Sequence, residues 1–585
     1  MLLLRTLRFL RWEQIAYRLV RIAQFRFYRA FPRLTSRWTG PQLPAPEIAP
    51  DAVEIIRSVF KNFFVHLNTP VDKHDQRLSD LISKRFTFLN RKLEINPIDW
   101  NRRYESHLWN YHLHYFDYAL WSARDFAECG DERSMKPCRE LIDSWIEQAR
   151  VGRSDGWDVY PISLRVVNWI YAYSLLADRY NDGRFLERWR ASIHSQLDFL
   201  SRHLEFHHLA NHLLKNIKAM LLGGLFFNQK EWLSKSERLL WREFEEQVLD
   251  DGGHFERAPM YHAQVLTDFL ECYALLKAFD RVTHRVEIES KLRAMSRFLK
   301  AMSYPDGTLA LFNDSANTEE TRPEPILEAS RRIVGIDHKM FPSSFPQTGY
   351  YLWVSADARE KIIVDAGPPA AAYNPAHAHC DLLSYELWLE GRPFIVDSGV
   401  HGYGGDRFRE YCRSTRAHNT VMFDGREQSE VWGTFRMARR AEMTGVEVES
   451  DEQTWSFRGK YRPFYNPRLV HQRHIHRECG GDWHIEDRMV SGFAERATSF
   501  IHLHPDVRVE LDGHNGLAVE CSTDQTKVRI EPFVAESLKI IGGDESPVQG
   551  WYFPDFGLAQ PSKAICFEYR VRRGEPFGYR IKRDL

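Results

Sequence analysis

A short polar stretch inside an otherwise apolar region is the first place in the chain where side chains could do chemistry. It covers residues 207–216 and reads HHLANHLLKN. In a helix, residues four apart share a face, so His208, His212 and Asn216 would form a polar row. Asn211 lies one step around the helix. Imidazole and amide groups can donate hydrogen bonds to a ligand. The alternative is that these groups cap neighbouring loops.

A tyrosine that closely follows a proline marks the second stretch, residues 256–264 (ERAPMYHAQ). Proline suits the first turn of a helix, so Pro259 predicts a helix that places Tyr261 at its N-terminal end. Arg257 is close by, and positive potential there would favour the phenolate. A phenolate can remove a proton from a substrate. The alternative is a tyrosine buried in the core.

The densest group of reactive side chains lies in residues 377–420, which contain HAHCD, then VDSG, then RSTRAHNT. Two histidines and one aspartate from separate strands or loops form a common zinc ligand set. Pairs of the form HxH also arise often on strands, because alternate residues share a face. Ligand chemistry therefore leaves two accounts open. One is a metal site, and the other is a set of side chains that hydrogen-bond one another across strands.

These stretches lie on two kinds of element. From about residue 55 to 300, apolar residues recur at helical spacing, which predicts helices joined by modest loops without alternating strands. After a loop-rich region, residues 383–389, 483–489 and 527–534 alternate in polarity, which is the period of a half-buried strand. The second half is therefore expected to be an antiparallel β-sandwich, with a boundary near residues 335–350.

The composition is that of an ordinary globular protein with two large domains. The chain has 585 residues, and 79 Lys+Arg against 80 Asp+Glu give a net charge of −1. No global field would draw it to nucleic acid, so an anionic ligand needs a local basic site. The cysteines are scattered without a CxxC pair, and most are expected to be buried free thiols. They are Cys129, Cys138, Cys272, Cys380, Cys412, Cys479, Cys521 and Cys566.

The N-terminal segment, residues 1–50, is basic and amphipathic. Arg5, Arg8 and Arg11 interrupt its apolar stretches, so we expect neither a cleaved signal peptide nor a transmembrane helix. Two roles are open: contact with a membrane surface, or docking on the helical domain. The expected location is the cytoplasm or the surface of the inner membrane, with the periplasm as the alternative.

The strings ANHLLKN, ERAPMYH, HAHCDLLSYELWLEGRPFIVDSG and RSTRAHNT, in this order, resemble the heparinase II/III-like polysaccharide lyases. The resemblance spans about residues 100–440. WNYHLHYFDY and YPISLRVVNW are similar to the branch of the family met in bacterial surface-polysaccharide loci. The resemblance implies an incomplete (α/α) toroid over residues 51–340 and an antiparallel β-sandwich over residues 341–585. The substrate groove would lie between them.

The resemblance also implies roles for individual residues. Asn211 and His212 would meet the substrate carboxylate, while Tyr261 and His377 would transfer protons. A structural zinc ion would be held by His379, Asp397 and His418. Tyr403 resembles an active-site tyrosine of alginate-degrading relatives. The candidates for holding further anionic groups, or for ordinary ion pairing, are Arg165, Arg413 and Arg416.

The predicted reaction is β-elimination from a uronate-containing acidic polysaccharide. Neutralising the carboxylate acidifies the C5 proton, and Asn211 and His212 can supply the hydrogen bonds. Whether Tyr261 or His377 is the base depends on the configuration at C5. One alternative is a glycoside hydrolase, which needs two facing carboxylates. Another is a non-catalytic polysaccharide-binding or assembly protein. The substrate and the oligomeric state are not predicted.

Overall fold

The computed structural model describes residues 1–31, 35, 39–65, 74–336, 342–450, 454–478, 481–512 and 516–583. Helices fill the first part of the chain and antiparallel strands dominate the second. The last helix of the first part ends at Val334, and the first strand of the second part begins at Ser344.

The first part consists mainly of helices. They are α1 (Leu2–Leu7), α2 (Trp12–Ala30), α3 (Ala52–Val59), α4 (His74–Ile82), α5 (His107–Tyr115), α6 (Asp117–Cys129), α7 (Glu132–Gln148), α8 (Val159–Leu176), α9 (Gly183–Ser201), α10 (Ala210–Phe227), α11 (Lys230–Gln247), α12 (Pro259–Ala278), α13 (Arg285–Ala301) and α14 (Pro323–Val334).

A hairpin interrupts the helices, although the apolar pattern predicted helices alone. Its strands are β1 (Arg85–Phe88) and β2 (Arg91–Glu94). Leu89 and Asn90 between them both have positive φ, as the tightest hairpin turns require. Strands of four residues are too short to leave a clear alternation in the sequence.

The helices form an inner and an outer layer. The inner helices α6, α8, α10, α12 and α14 contact one another in that order, and the intervening helices pack outside them. Nearly all of α8 and α10 is buried, which agrees with their apolar character on all sides. The outer helices α7 and α9 each bury one face and leave the opposite face more open.

In its described residues, the second part consists of strands, one short α-helix, α15 (Arg407–Cys412), and a 3₁₀ turn over Thr415–Ala417. The strands are β3 (Ser344–Phe345), β4 (Tyr350–Val354), β5 (Lys361–Asp365), β6 (Tyr385–Leu389), β7 (Arg392–Ile395), β8 (Val421–Phe423), β9 (Val431–Trp432), β10 (Arg436–Met437), β11 (Glu442–Ser450), β12 (Trp455–Arg462), β13 (Val470–Arg477), β14 (Trp483–Ser491), β15 (Arg496–His502), β16 (Arg508–Leu511), β17 (Val519–Ser522), β18 (Lys527–Phe533), β19 (Ser537–Ile541), β20 (Asp544–Glu545), β21 (Val548–Gln549), β22 (Trp551–Tyr552), β23 (Gln560–Pro561), β24 (Ala564–Arg570) and β25 (Pro576–Arg583).

Three larger antiparallel sheets organise these strands. The first has the order β11-β12-β13-β14-β25-β18-β17-β16, the second β19-β24-β15-β8, and the third β3-β4-β5-β6-β7. Strands appear where residues 483–489 and 527–534 predicted them, as β14 and β18.

The third sheet is covered on both faces. The alternation over residues 383–389 predicted a half-buried strand, and this prediction is wrong, since every residue of β6 is buried. On one face, Leu387 joins the core of the strand part. On the other face, Trp388 packs in a cluster with Phe298 of α13. Both faces of the third sheet are buried because it lies between the helices and the remaining sheets.

The seven described cysteines are free thiols, and all of them except Cys129 are buried. Cys479 lies outside the described residues. Among the helices that the structure describes, none is both long enough and apolar enough to cross a membrane.

Candidate active site

Tyr261 and His377 meet where the helices join the sheets. Tyr261 lies in the first turn of α12, which begins at Pro259 as predicted. Its ring stacks on the imidazole of His377 with 3.8 Å between ring centroids. Its hydroxyl hydrogen-bonds with the hydroxyl of Tyr403 at 2.8 Å. Tyr261 and His377 are each 8% exposed. The two parts of the chain thus bring together three of the predicted residues.

Asp314, in the connection between α13 and α14, fixes the imidazole of His377. One of its carboxylate oxygens lies 2.9 Å from Nδ1 of His377. Burial alone would raise the pKa of Asp314, but Arg409 and hydrogen bonds from His377 and His379 hold it well below its usual value. Because an ionised carboxylate can only accept, Nδ1 of His377 donates the proton. Nε2 then carries the lone pair of a base.

Glu256 connects His377 to the helical part. Its two carboxylate oxygens accept from the amides of Asn211 at 3.2 Å and Asn374 at 3.0 Å. One of these oxygens lies 3.8 Å from Nε2 of His377. Burial raises the pKa of Glu256 above its usual value. Since the amide nitrogen of Asn211 has two N–H groups, Glu256 orients one of them and leaves the other for a ligand.

His212 follows Asn211 and lies at a more open edge of the site. Its side chain is 33% exposed, and its ring centroid is 4.4 Å from that of Tyr160. Its Nδ1 lies 3.4 Å from the carboxylate of Glu205. Burial alone would raise the pKa of Glu205, but the adjacent His212 lowers it to about 2. Glu205 is therefore an anion that orients His212.

The predicted helical row of His208, His212 and Asn216 is only partly correct. α10 begins at Ala210, so His208 lies before the helix. Leu209 has a φ of 62°, which a right-handed helix excludes. The rings of His208 and His212 nevertheless lie 4.8 Å apart, because the turn folds back beside the helix.

The lowered pKa that a helix N-terminus and Arg257 would give Tyr261 is contradicted by its surroundings. Burial raises the pKa of Tyr261 well above its usual value, and Tyr403 and Asp314 add to the effect. Arg257 does not act on the phenol. It donates instead to backbone carbonyls, among them that of Thr348 at 2.9 Å. Tyr261 is thus a neutral phenol in this state, because the desolvation cost exceeds the benefit of the helix end.

Arg165 was predicted to bind anionic groups of the substrate, and the structure contradicts this. Its side chain is 0% exposed and lies inside the helical layers. It donates to Gln196 at 2.8 Å and to the backbone carbonyls of His114 and Gly156. Its guanidinium also lies 3.9 Å from the ring centroid of Trp145. Arg165 therefore joins segments of the helical part and cannot reach a ligand.

Arg413 is likewise buried, so direct contact with substrate is contradicted for it as well. It donates to the backbone carbonyls of Ala378 and Gly433, and so braces the loop that carries His377. Arg416 is half-buried, with its guanidinium 5.9 Å from the ring centroid of Tyr411. Its role as an anion-binding residue stays a prediction.

A buried cluster of histidines and carboxylates lies beside His377. The ligand atoms of His379, Asp381 and His418 lie within 4.8 Å of one another. Nε2 of His379 is 2.8 Å from Asp314, and Nδ1 of His418 is 2.8 Å from Asp397. The other nitrogen of each ring is buried without a hydrogen-bond partner among the described residues. Nitrogens of His379 and His418 and the Asp381 carboxylate therefore lie close enough to hold a cation, while Asp397, which was predicted as the third ligand, contacts the opposite nitrogen of the His418 ring.

Sequence reasoning missed the carboxylates that organise the site. Asp314 lies in a loop-rich region, where no spacing to other reactive residues indicates a functional motif. Glu256 lies in the stretch that drew attention to Tyr261, and Asp381 follows HAHC, but neither was given a role. Only the folded structure shows that Asp314 hydrogen-bonds with His377, His379 and Arg409 together.

Layered helices, antiparallel sheets and a Tyr–His–Asn site at their junction define a protein of the toroid and β-sandwich class. Models of the Heparinase II/III N-terminus and of the Heparinase II/III-like, C-terminal domain match residues 55–333 and 341–579, respectively. The chain belongs to the heparinase II/III-like family. The predicted family and fold class are confirmed. α1, α2 and the start of α3 lie outside both matched ranges.

The chain is similar to proteins named heparin-sulfate lyase. The one from Pedobacter heparinus is 25% identical over 399 residues, which cover 61% of this chain and 59% of the relative. The one from Bacteroides thetaiotaomicron is 24% identical, with 56% of this chain and 53% of the relative covered. The chain thus matches between half and two thirds of the length of these relatives.

Solved structures share the fold over most of its length. A crystal structure of heparinase III has a TM-score of 0.71 at 17% identity and covers 92% of each chain. The heparan sulfate lyase HepC from Pedobacter heparinus has a TM-score of 0.60 at 19% identity, with 91% of this chain and 87% of that chain covered.

Proposed function

We propose that the protein is a polysaccharide lyase that cleaves a uronate-containing acidic polysaccharide by β-elimination. The observation that carries the proposal is the neutral Tyr261 stacked on His377, whose Nδ1 is held by the ionised Asp314. The relatives named heparin-sulfate lyase support an acidic polysaccharide as substrate. Residues 109–118 and 160–169 resemble the surface-polysaccharide branch, so we assign the activity to bacterial exopolysaccharide turnover.

In the proposed mechanism His377 is the base and Tyr261 the acid. Nε2 of His377 takes the C5 proton, and the electrons of the C5–H bond form the C4–C5 double bond. The C4–O bond breaks, and the hydroxyl of Tyr261 gives its proton to the leaving oxygen. Asn211 donates to the carboxylate, on which negative charge grows as C5 loses its proton. His212 donates to it through Nε2 when its ring is protonated, because Nδ1 faces the anionic Glu205. The depressed pKa of Asp314 keeps the imidazole in the tautomer that a base requires.

A glycoside hydrolase is less well supported because the nearby carboxylates are engaged. Asp314 accepts hydrogen bonds from Arg409 and two histidines, and Glu256 accepts hydrogen bonds from two side-chain amides. Neither is arranged as one of two carboxylates facing each other across a sugar bond. A non-catalytic binding protein would have no need of a histidine held in one tautomer beside a phenol.

The nature of the product tests the proposed function. Purified protein is incubated with heparan sulfate, hyaluronan, alginate and bacterial capsule polymers, and ultraviolet absorbance and reducing ends are measured. A lyase gives new absorbance from a 4,5-unsaturated sugar. New reducing ends without absorbance indicate a hydrolase, and binding without either product indicates a non-catalytic protein.

We also propose a structural zinc ion in the cluster beside His377. The chemistry of the cluster fits zinc, which takes imidazole nitrogen and carboxylate oxygen in a four-coordinate site. His379, His418 and Asp381 would hold it, and Asp397 would orient His418 from the opposite ring nitrogen. Elimination needs no activated water, so the metal would serve to stiffen the loop that carries His377.

Elemental analysis of chelator-washed variants tests this site. We expect near-stoichiometric zinc in the parent and its loss, with a lower melting temperature, in His418→Ala. Asp381→Asn should lose more zinc than Asp397→Asn, and the reverse order would make Asp397 the ligand. Metal-free protein with full activity and unchanged melting would remove the zinc proposal.

We further propose that the outward face of α1 and α2 contacts an anionic membrane surface. Trp12 and Leu19 are 74% and 65% exposed, and exposed arginines flank them. Apolar side chains beside basic ones suit the interface of such a bilayer. Sedimentation with vesicles should be weakened in Trp12→Glu/Leu19→Glu. It should be unchanged in Phe493→Glu/Leu511→Glu, whose residues are equally exposed on the strand part.

A further inference from the structure

α2 lies outside the matched family ranges and borders the active site from one side. Arg11, at its start, lies 3.8 Å from the ring centroid of Tyr373, and Gln14 contacts the Tyr373 carbonyl. The next residue, Asn374, donates to Glu256 of the active site. This end of α2 is therefore only a few contacts from His377.

The C-terminal end of α2 contacts the turn that precedes α10. Tyr28 hydrogen-bonds with His203, and its ring also contacts Phe199. Beyond them, the rings of His207 and His208 lie 4.2 Å apart. Those of His208 and His212 lie 4.8 Å apart. A row of imidazoles thus leads from α2 to His212 at the open edge of the active site.

Between α2 and this turn is a cavity of about 340 Å³. Among the described residues, its lining contains no acidic side chain and includes Arg18, Arg21, Arg26, Arg29, Phe25 and His207.

The arginines of this cavity form few hydrogen bonds within the described residues, although Arg21 lies 4.6 Å from the ring centroid of Phe25 and near the carboxylates of Glu205 and Asp158. Nη1 of Arg21 is buried without a hydrogen-bond partner among the described residues. Arg29 donates through Nε to the backbone carbonyl of Gly152. No ion pair of Arg18 or Arg26 occurs within the described parts of the chain. Four guanidinium groups around one cavity with few fixed partners suit an anion, because hydrogen bonds between arginine and an oxyanion are charge-assisted.

We propose that this cavity is a subsite for an anionic group, a sulfate or carboxylate, of the polysaccharide chain outside the unit that is cleaved. The inference rests on the proposed function for the identity of the polymer. Arginine forks bind planar or tetrahedral oxyanions through paired N–H groups. The row of His207, His208 and His212 connects the subsite with the residues that meet the reacting uronate. α2 thereby extends the substrate site beyond the two domains that define the family.

Binding to oligosaccharides of two lengths tests the subsite. All proteins carry Tyr261→Phe so that turnover does not interfere, and the probes are labelled heparan sulfate tetrasaccharide and dodecasaccharide. Arg18→Gln/Arg21→Gln should weaken dodecasaccharide binding about tenfold, the loss of one or two charge-assisted bonds. Tetrasaccharide binding should change less than about twofold. Arg570→Gln/Arg572→Gln, which removes the same charge from exposed positions of the strand part, is the matched control.

Equal losses for both lengths, or for both pairs of variants, would overturn the subsite. So would a loss of binding to anionic vesicles with unchanged oligosaccharide affinity, because the arginines would then serve a lipid headgroup.

A second readout does not depend on the substrate. At equal ionic strength, sodium sulfate should raise the melting temperature of the parent above its value in sodium chloride. Arg18→Gln/Arg21→Gln should show a smaller difference, because only the general stabilisation by sulfate remains. An equal sulfate effect in both proteins contradicts the subsite. If the sulfate effect is present but no heparan sulfate binds, the choice of polysaccharide is wrong and the anion subsite stands.

Discussion

Protonation states decide the chemistry at the scale of single residues. Asp314, kept ionised by Arg409, makes Nδ1 of His377 a donor and leaves Nε2 as a base. Burial keeps Tyr261 as a phenol, which can release a proton only as a partner accepts it. One residue is thus prepared to take a proton and the other to give one.

Removing the hydroxyl of Tyr261 should abolish most of the activity without unfolding the protein. We expect Tyr261→Phe to lower kcat by roughly 10²–10⁴, since one proton-transfer group is lost. The stacking on His377 is kept. Tyr403→Phe removes the partner of the same hydrogen bond and is the matched control, with a smaller loss. Initial rates and melting temperatures of both variants check the prediction, and near-normal turnover of Tyr261→Phe would refute its role.

Asn211 should act on the transition state more than on binding. The charge that its amide meets grows as the C5 proton leaves, so Asn211→Ala should lower kcat more than it raises KM. Steady-state kinetics on a substrate of the parent measure both constants. An effect confined to KM would contradict the assignment and make Asn211 a simple binding residue.

At the scale of elements, helix ends carry much of the site. α12 begins at Pro259 and so presents Tyr261 in its first turn. α10 begins at Ala210, directly before Asn211 and His212. The turn ahead of α10 contributes Glu205, which accepts from His212 and from the amide of Asn216 at 3.0 Å. The charge of Glu205 therefore stabilises the start of α10.

The Glu205 carboxylate predicts a specific dependence of stability on pH. Its pKa is about 2 in the folded protein against a usual value of 4.5. It therefore contributes stability that is fully present above pH 4.5 and is lost as the pH falls toward 2. Glu205→Gln imitates the protonated acid and should be less stable than the parent above pH 4.5.

Denaturant unfolding at several pH values measures this difference. It should shrink as the pH falls through the window between the two pKa values. Glu231→Gln, an exposed acid on α11, should show no such convergence. A difference for Glu205→Gln that does not depend on pH would mean that packing, and not charge, is responsible.

At the scale of the whole molecule, Asp314 joins the two parts of the chain. It lies in the helical part and hydrogen-bonds with His377, His379 and Arg409 of the strand part. Tyr304 adds a second junction, since its ring stacks on Trp388 of the buried third sheet with 4.2 Å between centroids. The site is therefore assembled only when both parts are folded and docked.

Neutralising Asp314 should affect stability and activity together. Asp314→Asn leaves Arg409 buried without its counter-charge, which typically costs about 3–5 kcal/mol. It also removes the acceptor that fixes the tautomer of His377, so turnover should fall. Glu447→Gln, at an exposed ion pair of β11, should change neither property. Melting curves and initial rates test this, and a stable, active Asp314→Asn would contradict the bridging role.

The sequence by itself determined the order of helices and strands and the residue types of the site. Helical and strand periodicity are local properties, so α10, α12, β14 and β18 could be predicted from their own residues. The resemblance to a family was likewise carried by short strings around Asn211, Tyr261 and His377. The start of α12 followed from Pro259 alone.

Tertiary structure decided burial, protonation and partners, because these depend on residues far apart in the chain. β6 alternates in sequence yet is covered on both faces, since α13 packs on one of them. The sequence suggested that Arg165 could bind an anionic ligand, but the helical layers enclose its side chain. The sequence left open whether Tyr261 acts as a phenolate or as a phenol, and the desolvation that keeps it neutral exists only once the two parts of the chain close around it.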